Sequence, residues 1–207
     1  MNRILIDTIN KKNTSRPPVW FMRQAGRILP SYRELKKRHH FYSMMKDKEL
    51  AAEVTLLPIN DLKVDAAILF SDILVIPDAM GLELDFTSNG PKFSNALKTS
   101  GNNKIKYDSS KLGYVYDNIK TIKNKNNDIP LIGFCGGPLT TFLFMFRATE
   151  NNKSFKDAIK FFYCNRKESI KILEQITEAS IDYAKNQVLS GIEVFQLFET
   201  YCGAIPH

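Results

Sequence analysis

Two arginines stand four positions apart in the short segment Arg23-Gln24-Ala25-Gly26-Arg27. A guanidinium can hold a carboxylate through two parallel N–H···O bonds, so a pair of neighbouring arginines can clamp planar oxyanions. The same two side chains could instead hold their own loop in place by donating to backbone carbonyls. The spacing alone does not choose between a carboxylate clamp and a structural role, and both interpretations stay open at this point.

A carboxylate, Asp72, closely follows the apolar run at residues 66–70. An aspartate among apolar neighbours is either the N-cap of a following helix or a functional group in an unusual environment. Ser71 or Asp72 could cap a helix over residues 73–80, so these two interpretations also stay open. A hydroxyl group, that of Thr200, follows a further apolar run in a similar way.

Two common kinds of site have no signature in the sequence. Residues 133–138 are rich in glycine, but they end in proline and match neither the P-loop nor the GxGxxG spacing, so a nucleotide phosphate site is not predicted. There is no HExxH motif, and His39 and His40 follow the basic run at residues 36–38. We interpret these histidines as exposed charges, and no metal site is predicted.

Four short apolar runs would position these groups, and they lie at residues 19–22, 66–70, 130–134 and 192–197. The first three are nearly continuous, which is typical of parallel strands that are buried on both faces. The fourth contains Glu193 and Gln196, so one of its faces is more polar.

Helical patterns separate the runs. Asp47 is the expected N-cap of one helix, and further helices are predicted at residues 111–124, 154–163 and 166–188. In the last of these, the residues predicted to face the core are Ile170, Leu173, Ile176 and Ala184. Residues 87–104 are polar and rich in Gly, Asn and Ser, which predicts an excursion over the surface.

Strands that alternate with helices indicate an α/β fold with a parallel sheet and right-handed crossovers. In such folds the functional side chains gather at the carboxyl ends of the strands. Arg23, Arg27, Asp72 and Thr200 all follow apolar runs, so they are expected to converge on one site.

Composition limits the classes of protein. The 207 residues, of which 43% are hydrophobic and 25% charged, fit one globular domain. The net charge is +7, but the excess lysines stand among asparagines without interleaved aromatics, so nucleic-acid binding is not predicted. Three cysteines without a CxxC pair favour a reducing compartment and argue against structural zinc. No apolar run has the length of a signal peptide or a transmembrane helix, so a cytoplasmic location is expected.

Four blocks of the sequence resemble one protein family. Residues 16–36, RPPVWFMRQAGRILPSYRELK, resemble the N-terminal signature of the uroporphyrinogen decarboxylases. Residues 66–86, 131–146 and 196–200 resemble three further blocks of that family, in the same order. The likeness covers essentially the whole chain. Cobalamin-linked methyltransferases resemble the same fold and use a zinc site, but they lack the RQAGR segment.

The resemblance implies a carboxy-lyase of haem and porphyrin biosynthesis. Such enzymes remove carbon dioxide from the four acetate side chains of uroporphyrinogen III and give coproporphyrinogen III. They use no metal, flavin or pyridoxal, because the protonated pyrrole is itself the electron sink. The resemblance also implies a small-molecule substrate, no nucleic-acid or membrane partner, and a homodimer for the complete protein.

The same resemblance gives roles to particular residues. Asp72 corresponds to the catalytic aspartate that faces the pyrrole N–H groups and stabilises the cationic intermediate. The implied substrate-binding positions are Arg23, Gln24, Ala25, Gly26, Arg27, Asp72 and Thr200. Two positions depart from the family pattern: Phe144 stands in the pocket lining where a tyrosine is expected, and Leu139 replaces a tryptophan.

The family folds as an eight-stranded β/α barrel of the TIM type. Such a barrel needs about 250 residues, and only four barrel strands are predicted in this sequence. We therefore expect residues 1–207 to be the N-terminal half of a single barrel domain, without the family histidine near the last strand. The alternative to an active decarboxylase is a non-catalytic or incomplete tetrapyrrole-binding remnant that needs a second chain.

Overall fold

The computed structural model describes residues 2–87, 90–147 and 154–205. The chain divides into two compact units, each assembled from three stretches of sequence. The first unit comprises Met1–Ser71, Gly113–Phe134 and Lys185–Gln196, and the second comprises Asp72–Leu112, Cys135–Ala184 and Leu197–His207. Within the described ranges, no helix has both the length and the apolar character needed to cross a bilayer.

Helices and strands alternate along much of the chain. The helices are α1 (Ile4–Ile9), α2 (Pro30–Arg38), α3 (Phe41–Lys46), α4 (Lys48–Leu62), α5 (Val75–Ala79), α6 (Gly113–Lys125), α7 (Pro138–Met145), α8 (Lys156–Cys164) and α9 (Arg166–Ser190). The strands are β1 (Ala67–Ile68), β2 (Leu84–Thr87), β3 (Gly90–Phe93), β4 (Leu131–Gly136) and β5 (Val194–Phe198). Two short 3₁₀ segments cover Ser109–Leu112 and Cys202–Ala204.

A three-stranded sheet has the order β1-β4-β5. β1 pairs in parallel with β4, with Ala67 opposite Leu131 and Ile68 opposite Ile132. Every residue of β4 is buried, as expected for a central strand covered on both faces, and this explains its uninterrupted apolar sequence. The predicted second, third and fourth strands are thereby confirmed, although β1 is only two residues long.

The predicted first strand is wrong, and with it the expected count of four barrel strands. Residues 19–22 form no strand, and three of their four side chains are about half exposed. Val19 exchanges two hydrogen bonds with Asp65, but the chain then turns, because the N–H of Gln24 donates to the carbonyl of Phe21 at 3.1 Å. The extended segment before this turn is too short to pair as a strand, so the parallel sheet has three strands within the described residues.

The predicted helices are confirmed, with ends that differ by at most two residues from α6, α8 and α9. Asp47 is the N-cap of α4, and its carboxylate accepts the N–H groups of Glu49 at 2.9 Å and Leu50 at 3.0 Å. These bonds satisfy two of the donors that a helix start leaves without an intrahelical partner. Helix α4 ends at Leu62, and its C-cap residue Lys63 has a left-handed φ of 55°.

Helix α9 buries a different face from the one predicted. Ile176 is buried as expected, but Ile170 is 43% exposed. The buried positions are instead Ser169, Ile172, Ile176, Ala179, Ser180, Tyr183 and Gln187. The amide of Gln187 accepts the N–H of Phe134 at 3.1 Å and donates to its carbonyl at 3.0 Å, as a neighbouring strand would. Polar residues therefore lie on the buried side, where a hydrophobicity pattern does not place them.

The hairpin of β2 and β3 belongs to the second unit, with Leu84 opposite Phe93 in an antiparallel pair. Phe93 and Leu97 are buried, and their N–H groups donate to carbonyls at the end of α7 and just beyond it. The predicted surface excursion over residues 87–104 is confirmed for most of its described residues, which exclude 88 and 89, and the two buried apolar side chains anchor this otherwise polar segment.

Candidate functional site

Gln24 holds the segment at residues 23–27, which we call the arginine loop. Its side chain is buried, Nε2 donates to the carbonyl of Ala66 at 2.9 Å, and Oε1 accepts the N–H of Phe21 at 3.1 Å. Because Ala66 directly precedes β1, the amide attaches the loop to the start of that strand. A Cβ atom on Gly26 would stand 3.1 Å from the carbonyl oxygen of Arg23, so this tight turn favours glycine.

Arg23 and Arg27 are exposed on the arginine loop, and Ala25 between them is half-buried. Among the described residues, neither guanidinium donates a hydrogen bond or forms an ion pair by the usual distance criteria. Arg33 instead secures the backbone here, since its Nη1 donates to the carbonyls of Arg27 at 3.0 Å and Ile28 at 3.3 Å. The structural role that the sequence left open for the two loop arginines therefore belongs to Arg33.

A buried carboxylate fixes the chain that leads into the arginine loop. Asp65 is 1% exposed, and its two oxygens accept bonds from Arg16 at 2.6 Å and 2.8 Å. The side chain of Asn2 and the N–H of Val19 each donate to the same carboxylate at 2.8 Å. The hydrogen-bonded guanidinium of Arg16 holds the pKa of Asp65 well below its usual range in spite of burial. Sequence analysis missed this cluster, because its members lie far apart and share no motif.

The carboxylate of Asp72 serves the turn that precedes α5. Its Oδ1 accepts the N–H of Leu74 at 2.8 Å, and the residue is half-buried. Leu74 itself occupies the N-cap position of α5, so Asp72 stabilises the approach to the helix and is not its N-cap. The prediction that Ser71 or Asp72 caps this helix is therefore wrong, although the Asp72 carboxylate does make a local structural contact. A backbone N–H donor stabilises the ionised carboxylate, so this contact is compatible with a functional charge.

Glu199 joins the end of β5 to the start of α7, although the sequence did not single it out. Its Oε2 accepts the N–H of Leu139 at 3.0 Å, and its Oε1 accepts the N–H of Thr140 at 2.7 Å and the hydroxyl of the same residue. A helix N-terminus is where a nucleotide phosphate would bind, and here an internal carboxylate occupies that place. We call residues 137–140 and 198–201 together the glutamate clamp.

Thr200 lies in the turn after β5, and it is exposed. The N–H of the next residue, Tyr201, donates to Oγ1 of Thr140 at 3.0 Å, so the turn is held on both sides of Thr200. The ring of Tyr201 lies edge-on to those of Phe155 and Phe144, with centroids 4.7 Å and 5.9 Å apart. Phe144, predicted to line the pocket, therefore belongs to an aromatic cluster that includes one hydroxyl-bearing ring.

Cys135 is the buried thiol of the chain and stands within β4. Burial raises its pKa to about 12, against an opposing hydrogen bond with Ser180, and the negative charge of Glu199 adds to the rise. The other two cysteines, Cys164 and Cys202, are exposed, and all three are free.

The predicted site residues are divided between the two compact units. The first carries Arg23, Gln24, Ala25, Gly26 and Arg27, and the second carries Asp72, Phe144 and Thr200. Within the first unit the five residues form one loop, and within the second the Thr200 turn and Phe144 are linked through Tyr201. The convergence of the arginines with Asp72 and Thr200 on one site stays a prediction.

Known proteins resemble this chain over nearly its full length. The family model described as uroporphyrinogen decarboxylase (URO-D) matches residues 1–207. The uroporphyrinogen decarboxylase of Sulfurimonas denitrificans is 42% identical over 212 residues, which cover 99% of this chain and 62% of the relative. That of Christiangramia forsetii is 37% identical over 209 residues, which cover 99% of this chain and 61% of the relative. Among solved structures, a methyltransferase from Methanosarcina mazei matches with a TM-score of 0.72 at 22% identity, covering 94% of this chain and 57% of that one.

The chain belongs to the uroporphyrinogen decarboxylase family, so the resemblance of the four sequence blocks is confirmed. The chain spans about three fifths of the length of the curated relatives that it matches. The methyltransferase supports the fold alone, and with the family it agrees with an α/β fold of the TIM-barrel type.

Proposed function

We propose that this chain supplies the N-terminal half of a barrel domain that decarboxylates uroporphyrinogen III to coproporphyrinogen III. The observation that carries the proposal is the arginine loop, in which two exposed guanidiniums have no carboxylate partner among the described residues while the loop backbone is fixed by Gln24 and Arg33. A rigid loop with available cationic donors suits a ligand that brings its own carboxylates.

The substrate implied by the family carries eight carboxylates, four on acetate and four on propionate side chains. Arg23 and Arg27 would each bind one of them through two parallel hydrogen bonds, and the net charge of +7 favours the approach of such an anion. Gln24, Ala25 and Gly26 would act by shaping the loop. The contacts of Gln24 support this division of roles, because its amide is directed to backbone groups of the protein.

The chemical step requires a transient cation. A proton adds to the ring carbon beside the one that carries the acetate and makes the ring a cation. The electrons of the bond to the carboxylate then form an exocyclic C=C bond and neutralise this cation as carbon dioxide leaves. A second proton adds to the exocyclic carbon and makes a methyl group, and the ring carbon loses the first proton. Asp72 would stabilise the cationic ring through its negative charge, since a preorganised charge near a developing opposite charge lowers the barrier. The Thr200 hydroxyl would donate to the substrate.

A non-catalytic tetrapyrrole-binding role is the second candidate, and Phe144 favours it. The ring at this position contacts Phe155 and Tyr201 and carries no hydroxyl of its own. A chain with this substitution, spanning three fifths of its relatives, could bind the tetrapyrrole and leave turnover to a complete enzyme or to a complex with a second chain. The homodimer implied by the family and the expected cytoplasmic location also stay predictions.

The decisive experiment compares the chain alone with a chimera. In the chimera, the segment of the Sulfurimonas denitrificans relative that lies beyond the matched region follows residue 207. Both proteins receive uroporphyrinogen III labelled in its acetate carboxyls, and released carbon dioxide and coproporphyrinogen are measured. We expect turnover by the chimera that is lost on substituting Asp72. Binding without release of label by both proteins would support the non-catalytic role, and neither binding nor release would contradict the proposal.

A further inference from the structure

The carboxylate of Glu199 in the glutamate clamp has no role in the proposed function. Glu199 accepts three hydrogen bonds, from the N–H of Leu139 at 3.0 Å, from the N–H of Thr140 at 2.7 Å and from the hydroxyl of Thr140. Leu139 and Thr140 are the second and third residues of α7, whose N–H groups have no acceptor inside the helix. The negative charge at this end also interacts favourably with the helix dipole.

The local sequence is adapted to this carboxylate. A Cβ atom on Gly137 would stand 2.2 Å from Oε2 of Glu199 and 2.5 Å from its Cδ, both too close for any substituent. The φ of Gly137 is −64°, which every residue can adopt, so the glycine is explained by space and not by backbone strain. Gly137, one of the two adjacent glycines in the third family block, therefore leaves the space that Glu199 occupies.

The three residues around Thr200 are each fixed by contacts with residues 137–140. The carbonyl of Phe198 accepts the N–H of Gly137 at 2.9 Å, Glu199 binds the start of α7, and the N–H of Tyr201 donates to Oγ1 of Thr140 at 3.0 Å. The Thr140 hydroxyl therefore links the carboxylate of Glu199 to the backbone of Tyr201, the residue that follows Thr200. Every neighbour of Thr200 in the turn is held, while Thr200 itself is exposed.

We infer that Glu199 is a positioning residue that orients the Thr200 hydroxyl for a ligand, acting through Thr140 and Tyr201. The inference rests on the proposed function only in taking Thr200 as a substrate contact. The alternative is that Glu199 is only a helix cap that stabilises α7. A simple cap would lower stability when removed, but it would not act on the ligand through Thr200.

The test uses the variants Glu199→Gln and Thr200→Ala, alone and combined, with Glu178→Gln as the matched control. Glu178 is an exposed glutamate on α9, so its substitution removes the same charge without touching the clamp. Amide hydrogen exchange is measured first on the unliganded chain. We expect the amides of Leu139 and Thr140 to exchange about tenfold faster in Glu199→Gln, because their hydrogen bonds to an ionised group are weakened. The amide of Tyr201 should follow them, because its acceptor, Oγ1 of Thr140, is itself held by Glu199.

Uroporphyrin, the stable oxidised form of the proposed substrate, is then titrated by fluorescence. Glu199→Gln and Thr200→Ala should each weaken binding by about three- to tenfold, and the double variant should be no weaker than Thr200→Ala alone, because the two residues act as one unit. The milder variant Thr140→Val, which removes only the hydroxyl that links Glu199 to Tyr201, covers the case in which Glu199→Gln does not fold. It should accelerate exchange at Tyr201 and show the same non-additivity with Thr200→Ala.

Additive losses of affinity, or exchange at Tyr201 within twofold of the control, would overturn the inference. A wild-type chain that binds no uroporphyrin, combined with faster exchange in Glu199→Gln, would instead count against the proposed function while leaving Glu199 as the residue that fixes this turn.

Discussion

The arginine loop is attached to the start of β1 and the glutamate clamp lies at the ends of β4 and β5, and these two short segments differ in how the protein pairs their charges. In the clamp, the carboxylate of Glu199 is saturated by protein donors. In the loop, a buried amide and Arg33 secure the backbone, while the guanidiniums of Arg23 and Arg27 have no such partner among the described residues. A charged side chain that is paired within the protein indicates a structural role, and an exposed charged side chain on a fixed loop without such a partner indicates a ligand-binding role.

The strongest test of this contrast is Asp72→Asn in the chimera. Asp72 combines both behaviours, since it accepts the N–H of Leu74 and is proposed to stabilise a cation. Asparagine keeps the shape and an acceptor for Leu74 but loses the charge, so kcat should fall by about 10²–10³-fold with little change in uroporphyrin affinity. Steady-state kinetics and a binding titration measure the two quantities separately. A near-normal kcat would show that Asp72 is architectural only.

Asp65→Asn should have the next largest effect, on stability. Removing one member of a buried ion pair costs about 3–5 kcal/mol, and we expect about 2–3 kcal/mol here because Arg16 is half exposed and can be hydrated. Urea unfolding of the chain measures the loss of stability. The control is Asp117→Asn, which removes one member of an exposed ion pair. An effect no larger than that of the control would mean that the Asp65 cluster does not hold the loop.

The same carboxylate predicts a dependence of stability on pH. Because the folded pKa of Asp65 lies below its unfolded value, its contribution is fully present above the unfolded pKa of about 3.9. It is lost as the pH falls from there toward the lower folded pKa. Unfolding measured between neutral pH and about pH 3 should therefore show a steeper acid loss for the wild type than for Asp65→Asn.

Arg23→Ala and Arg27→Ala should act on affinity. Each removes hydrogen bonds between charged groups that contribute about 1.5–3 kcal/mol, so uroporphyrin binding should weaken by roughly 10- to 100-fold. Stability should stay within about 0.5 kcal/mol, because neither guanidinium bonds to the described protein. Arg38→Ala, which removes the same charge from exposed α2, is the control. Lost stability with unchanged affinity would reverse the interpretation of the loop.

Phe144→Tyr should have the smallest effect. The new hydroxyl enters a half-buried aromatic cluster, where a fully buried hydroxyl without a partner would cost about 1–3 kcal/mol. We expect activity of the chimera to be preserved or raised and the melting temperature to change little. A marked loss of activity would show that the cluster with Phe155 and Tyr201 is packed specifically around phenylalanine.

Local patterns predicted the elements better than they predicted the contacts between them. Asp47 could be identified as a helix cap because its partners lie within three residues along the chain. The apolar run of β4 could be identified because burial on both faces leaves a continuous signature. Residues 19–22 carried the same signature and failed, since their apolar side chains are about half exposed and the chain turns at once.

The missed residues are polar groups whose partners are distant in sequence. Gln187 lies on the buried face of α9 because it pairs with the backbone of Phe134, 53 positions away. Glu199 is 59 positions from Thr140, and Asp65 is 49 from Arg16. Periodicity cannot reveal such pairs. The glycines could have pointed to them, since Gly133 and Gly137 leave room for Gln187 and Glu199.

The burial of Cys135 gives the chain an intrinsic chemical reporter. Thiol reagents attack the thiolate, which a raised pKa of about 12 makes very scarce at neutral pH, and the surrounding core also blocks access. Cys164 and Cys202 are exposed, so a maleimide added to the folded chain should label those two positions and spare the third. The rate at which Cys135 is then labelled reports how often the central strand opens, without an engineered cysteine.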